Sequence, residues 1–272
     1  MSEHSSLRTP SQRIAWTATI VISTLVFIFL IVPILAIMPL SFSSGSYLTY
    51  PLPGLSLRWY DDFINSPRWM NALKNSMIIG VASTLLSMVL GTLAALGLAQ
   101  WNSRLKPLVL AFVLSPVVVP GVITAVGLYF FFAPIGLTGS YLGLILAHTA
   151  LATPFVVITV GATLQSFDTN LARAAASLGA SPLQAFRRVI LPGVASGALF
   201  AFATSFDEVV IVLFMAGPEQ RTLPREMFSG IRENISPTIT AAAVILTTVS
   251  IILLATLEGL RRRNERLKGG PA

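Results

Sequence analysis

Apolar residues gather along this chain into six runs, at about 14–39, 75–99, 107–133, 141–164, 193–215 and 237–258. Each is near the ~20 residues that an α-helix needs to cross ~30 Å of hydrocarbon. Polar residues collect between the runs and after the last one, not on one face of each. That is the pattern of helices that use lipid as their solvent. The first run stands where a secretory signal would, yet its apolar stretch exceeds the roughly 7–15 residues of a cleaved signal, so it reads as a retained helix. The pattern predicts an all-α polytopic membrane protein with six transmembrane helices.

Composition agrees. Hydrophobic residues make up 54% of the 272 and charged residues only 11%, against the roughly 25% charged that a soluble surface requires. With no cysteine, disulfides, thiol nucleophiles and thiolate metal sites are excluded. The net charge of +7 would suggest nucleic acid if the basic residues formed one soluble face, but they lie between and after the apolar runs. With six crossings both termini share a side. That side holds Arg8, Arg13, Arg104, Lys106, Arg173, Arg187, Arg188, Arg261, Arg262, Arg263, Arg266 and Lys268, which is 12 of the 18 basic residues. The positive-inside rule places it in the cytoplasm. The chain thus divides into a cytoplasmic N-terminal segment (1–13), a transmembrane domain (14–258) and a basic cytoplasmic tail (259–272) that reads as an anchor at anionic lipid.

Two outward segments follow from this topology. Residues 41–71 hold Tyr47, Tyr50, Trp59, Tyr60, Phe63 and Trp69. They predict an aromatic belt with an amphipathic helix in the interface, or part of a docking surface for an external partner. Residues 216–236, with mixed charge and two prolines, predict a short structured lip.

The inward segment 165–192, QSFDTNLARAAASLGASPLQAFRRVILP, carries more information. Asp168 or Thr169 can cap a short helix through LARAAASL, and Gly179 suits the left-handed position that ends it. Ser181 then starts a second helix, with Pro182 at its first position and Gln184 three residues on as a capping box. Pro192 ends that helix and opens the fifth run. A connector needs only a handful of residues. A capped, Ala-rich helix–turn–helix is better explained as a rigid knob for another protein.

This stretch resembles the cytoplasmic "EAA…G…LP" loop of binding-protein-dependent ABC importer permeases. Ala174, Ala175, Gly179, Ala180, Leu191 and Pro192 fall on or beside the motif, while Arg173 stands where the family has Glu. SLRWYDDFINSPRWMNALKNS, SPVVVPGVITAVGL and SFDEVVIVLFMAGPEQRTLPREMFSGIRENISPTITAA are similar to the spermidine/putrescine branch. The resemblance implies the type I importer fold in a bacterial inner membrane. It implies a second permease subunit, a dimer of cytoplasmic ABC ATPases and a periplasmic solute-binding protein as partners. It implies that 165–192, Arg173 included, couples to the ATPase. The chain itself has no G-x-x-x-x-G-K-[ST] phosphate loop, so ATP and magnesium are expected on the partner, and no cofactor, metal or catalytic residue on this subunit. A polyamine is the implied solute; an opine-like or aminophosphonate solute stays open, since the external binding protein usually sets selectivity.

Within the runs, Asp207 and Glu208 lie about 15 residues into the fifth, ~22 Å from its inner end. A carboxylate at such depth costs up to ~3 kcal/mol, so it faces a cavity or a partner. Two readings stand: an ion pair with the lip or the second permease, or a cation-attracting group on the substrate pathway. Adjacent helical residues diverge by ~100°, so one of the two would face that pathway. His148 has no second histidine or cysteine beside it for a metal and reads as hydrogen-bonded packing. Pro116, Pro120, Gly121 and Pro154 predict kinks. Ser83, Ser87, Gly91, Ala95 and Ala99 recur every fourth residue, a stripe on which a neighbouring helix can approach closely. A proton- or sodium-coupled secondary transporter would use the acids but leave the knob without purpose. A membrane enzyme would lack its constellation, and an inert anchor would need neither kinks nor buried acids.

Overall fold

The computed structural model describes residues 10–165, 177, 179, 181, 184, 191–233 and 235–267. These are helical apart from turns and one isolated bridge, Ser43 to Leu55. The helices are α1 (Pro10–Leu40), α2 (Arg58–Asn65), α3 (Pro67–Gln100), α4 (Lys106–Val118), α5 (Gly121–Phe132), α6 (Tyr141–Gln165), α7 (Leu191–Phe206), α8 (Val210–Met215), α9 (Leu223–Glu233) and α10 (Pro237–Leu267). Four contain stretches long and apolar enough to cross a membrane, Ile14–Leu40, Pro67–Gln100, Tyr141–Gln165 and Pro237–Thr256. The last helix continues past 258 through the basic residues to Leu267, joined to the membrane stretch without a break.

The third and fifth runs are not single rods. α4 and the helical stretch Gly121–Ile135 are bent by 107°, a break at the prolines where the sequence predicts kinks. Pro120 disfavours helical dihedrals at the residue before it, and Val119 is extended at φ −71°, ψ 131°. α5 then restarts with Pro120 as its cap, whose carbonyl accepts from Ile123 and Thr124 at 2.9 and 3.1 Å. The fifth run is likewise interrupted: α7 stops at Phe206, residues 207–209 leave the helix, and α8 resumes at Val210.

α3, α6 and α7 form the centre of the bundle. The small-residue stripe makes this possible. Ser83, Ser87, Gly91 and Ala95 are buried, while Ala99 is exposed. A Cβ on Gly91 would stand 2.7 Å from Val156 Cβ, closer than carbon atoms tolerate. A second core joins α5, α6 and α8 through Ala125, Phe132, Leu144, Ile211, Val212 and Met215. α1 lies outside both, its apolar side chains exposed from Ile14 to Ile37.

The aromatic segment does not form a lipid-facing belt throughout. Tyr47 and Tyr50 are exposed, but Trp59, Phe63 and Trp69 are buried. Phe63 and Trp69 pack with Leu223, Ile239 and Ala242, Trp59 Nε1 donates to the Ser43 carbonyl at 2.7 Å, and Asp62 accepts from Thr238 at 2.7 Å. α2 does have the apolar face that the sequence predicts. Its partner is protein, because α9 and the start of α10 offer a packed surface that lipid does not.

Candidate functional site

Asp207 and Glu208 sit in the break of the fifth run, not on a continuous helix. α7 makes its last backbone bond from Asp207 N to Ala203 O, at 3.1 Å. The next segment has backbone donors without helical partners, and Glu208 meets one of them: its Oε1 accepts from Ile211 N at 2.8 Å, inside the first turn of α8. Glu208 therefore closes a helix end, the role a short acceptor side chain has at an N-terminus. Asp207 is exposed on this chain. Among the described residues neither acid pairs with a cation of the lip, so that half of the ion-pair reading is not realised within the chain.

Just before the break lies a buried polar chain. Ser83 on α3 donates to Ser205 on α7 at 2.9 Å, and Ser205 meets His148 Nδ1 on α6 at 2.7 Å. The Ser83 hydroxyl also lies 3.2 Å from the Gly80 carbonyl of its own helix, and His148 Nε2 is buried without a hydrogen-bond partner among the described residues. His148 thus has the hydrogen-bonded packing place expected of it. What the sequence conceals is that Ser83 and Ser205, 122 positions apart, belong to the same site. Three helices meet here, and the last residues of α7 are held just before the break.

The lip is built on a second set of polar contacts that sequence reasoning missed. Glu226 of α9 is buried and paired with Arg68 at the start of α3, with Arg221 Nη1 3.8 Å from its other oxygen. Asn75 on α3 donates to the carbonyls of Glu219 and Arg221 at 2.8 and 2.9 Å and accepts from Tyr141 of α6 at 2.7 Å. Arg225 turns back to the carbonyls of Ala216 and Gly217 at 3.0 and 3.1 Å. Burial first, and the neighbouring Arg221 second, push its guanidinium below the usual arginine range, partly opposed by Glu226. The expected lip is thus real: a short 3₁₀ turn (Pro218–Gln220) and α9, fastened to α3 and α6. The available signal was an Asn and an Arg at the mouth of an apolar run.

Within 165–192, Gly179 has φ +85°, the left-handed conformation expected at that position. Ser181 N donates to Gln184 Oε1 at 3.0 Å and Gln184 N to Ser181 Oγ at 3.3 Å, a reciprocal capping box. Leu191 and Pro192 are the first two residues of α7. Arg173, Ala174, Ala175 and Ala180 lie outside the described residues.

Two broken apolar helices joined by one core, two acids at one break, a capped turn before α7 and a fastened lip sit among helices long and apolar enough to cross a membrane. Residues 87–266 match the family described as binding-protein-dependent transport system inner membrane component. This chain belongs to that family. The match covers every element from the middle of α3 to the end of α10, both breaks included. The permease component is 29% identical over 250 residues to the spermidine/putrescine transport system permease protein PotC of Escherichia coli strain K12, covering 90% of this chain and 94% of the relative. It is 33% identical over 255 residues to the putrescine transport system permease protein PotI of the same strain, covering 89% and 90%. Its fold matches a chain in the crystal structure of a bacterial ABC transporter that imports the acidic polysaccharide alginate. There the TM-score is 0.64 at 16% identity, covering 93% of this chain and 96% of that one. The permease component is a multi-pass inner-membrane protein whose family works in transport.

Proposed function

We propose that this chain is one of the two permease halves of an ATP-driven importer for a small polyamine such as putrescine or spermidine. The observation that carries the proposal is the full-length similarity to two polyamine permeases, 29% and 33% identical over about nine-tenths of the chain.

In this reading each broken run counts as one crossing, so six crossings put both termini in the cytoplasm, as the basic residues favour. The capped turn at Gly179 then faces the cytoplasm, and the segment from Arg173 to Pro192 seats on a partner ATPase that binds ATP with magnesium. Arg173 in place of the family's Glu removes one acid from that contact and leaves the shape of the knob. ATP-driven closure of the ATPase pair moves the knobs. α7 begins at Leu191, inside the last two residues of that segment, so movement there is transmitted through the Ser205–His148–Ser83 chain to α6 and α3. The breaks at 119–120 and 207–209 supply the non-helical backbone that membrane proteins place beside a passage. A periplasmic binding protein delivers solute to the lip, and a second permease completes the passage.

A polyamine carries two or more positive charges through a low-dielectric passage, and one carboxylate there offsets part of their desolvation. Asp207, exposed at the break, is the group for that work; Glu208 is occupied with α8. The site must be weak, because transport requires release.

The testing experiment is ATP hydrolysis by the reconstituted complex, stimulated by the loaded binding protein across a panel of amines, opines and aminophosphonates. Putrescine or spermidine should stimulate most. Stimulation by another amino compound alone would remove the polyamine assignment. Solute uptake driven by a proton or sodium gradient without ATP would remove the importer class.

A further inference from the structure

The helix α4 stands off from the bundle. None of its residues is buried, and it is flanked by two apolar grooves. The larger, about 640 Å³, runs between α3, α4 and α6 and is walled by Leu96, Leu98, Leu110, Leu114, Val157 and Ile158, among others. The second, about 590 Å³, lies beside it, with Val109 and Val113 of α4 facing Ala94, Gly97 and Trp101, and shares Leu98 and Gln100 with the first. Both volumes are within the ~300–1,000 Å³ of sites that hold small molecules.

Polarity in the larger groove is confined to one end. Gln100, Lys106 and Gln165 mark the last residue of α3, the first of α4 and the last of α6, and the rest of the lining is apolar. The lining contains no acid. Lys106 is half-buried and has no carboxylate partner among the described residues. Arg104 is exposed two positions before it. At Gly161, in the wall, a Cβ would find no atom within 4 Å, so the groove is open there to something larger than a methyl group.

We propose that this groove is a binding site for one anionic glycerophospholipid, an acyl chain between α4 and the α3–α6 pair and the phosphate at Lys106. An apolar trough at membrane depth, closed by the Lys106 ammonium at the level where the spans end, matches the two halves of such a molecule: hydrocarbon on hydrocarbon, phosphate on ammonium. The lysine stem lies along the wall while its ammonium reaches the headgroup plane. A bound lipid also gives α4 the packing partner it lacks in the chain. The proposal rests on the membrane-spanning reading and not on the identity of the solute.

The test is native mass spectrometry of the full chain purified in detergent with its co-expressed subunits, counting retained phosphatidylglycerol and phosphatidylethanolamine. Wild type should keep phosphatidylglycerol through delipidation. Lys106→Gln should lower retention at least fivefold, Lys106→Arg should restore it, and Gly161→Phe, which fills open space, should abolish it. If Gly161→Phe does not assemble, the Gln and Arg variants decide between them. Equal retention in all variants, or retention of the zwitterionic lipid alone, would overturn the proposal. So would an efficient disulfide between Gly161→Cys and a cysteine scanned through the second permease, because a protein helix would then fill the groove. Lipid counts need neither solute nor ATP, so this result stands or falls apart from the transport assay.

Discussion

Gly179 offers the most direct test of coupling because its backbone and its surroundings make separable predictions. Its φ of +85° lies where L-residues are disfavoured by roughly 1–2 kcal/mol, and β-branched ones by more. A Cβ there would meet nothing within 4 Å, so a substitution costs conformation and not collision. Asn tolerates the left-handed region and should lose only a few tenths of a kcal/mol. Ala should cost about 1 kcal/mol and Val about 2 or more, enough to bias the turn between its native path and another by a factor of about 5 to 30. The assay compares the three variants at matched membrane levels, reading basal ATP hydrolysis, its stimulation by loaded binding protein, and uptake. Stimulated hydrolysis and uptake should fall in the order Asn, Ala, Val, with basal hydrolysis and insertion little changed. If Asn fails as badly as Val, side-chain volume matters and the backbone argument is wrong. If Val transports normally, the turn has no part in coupling.

Three further outcomes follow from the contacts. Asp207→Asn should reduce uptake of the polyamine with assembly intact, whereas Glu208→Gln, which keeps an acceptor for Ile211 N, should transport almost normally; the reverse order in a transport assay would exchange their roles. Arg68→Met strands a carboxylate that is 1% exposed beside an Arg221 3.8 Å away, and should cost about 2–3 kcal/mol. Glu226→Gln, which releases a half-exposed arginine to water, should cost about 1 kcal/mol; thermal inactivation of the purified complex measures both, and equal losses would contradict the asymmetry. Ser205→Ala removes the hydroxyl between Ser83 and His148 and should destabilise by about 1–3 kcal/mol, so an unchanged inactivation temperature would leave the buried chain without structural weight.

Whatever rests on neighbours in the chain was legible without the fold. Apolar runs of crossing length specify membrane helices because lipid is a solvent each segment meets alone, and 14–39, 75–99, 141–164 and 237–258 each lie largely within a continuous helix. The Ser181–Gln184 box and the left-handed Gly179 need only residues within a few positions, and the four-residue stripe from Ser83 to Ala95 needs only helical periodicity. The remaining features depend on contacts between segments far apart in the chain. An apolar face on α2 says that water is excluded, not whether lipid or α9 and α10 exclude it. Pro120 announces a bend, but an angle of 107° depends on α5 finding its place against α6 and α8. Nothing near Asp207 and Glu208 states that the helix opens there. The opening is tolerable because Glu208 serves the freed end of α8 and because Ile211, Val212 and Met215 bury against Ala125 and Phe132. Glu226 and Arg68 are 158 positions apart, and their attraction exists only once the fold has brought them together and taken the carboxylate out of water.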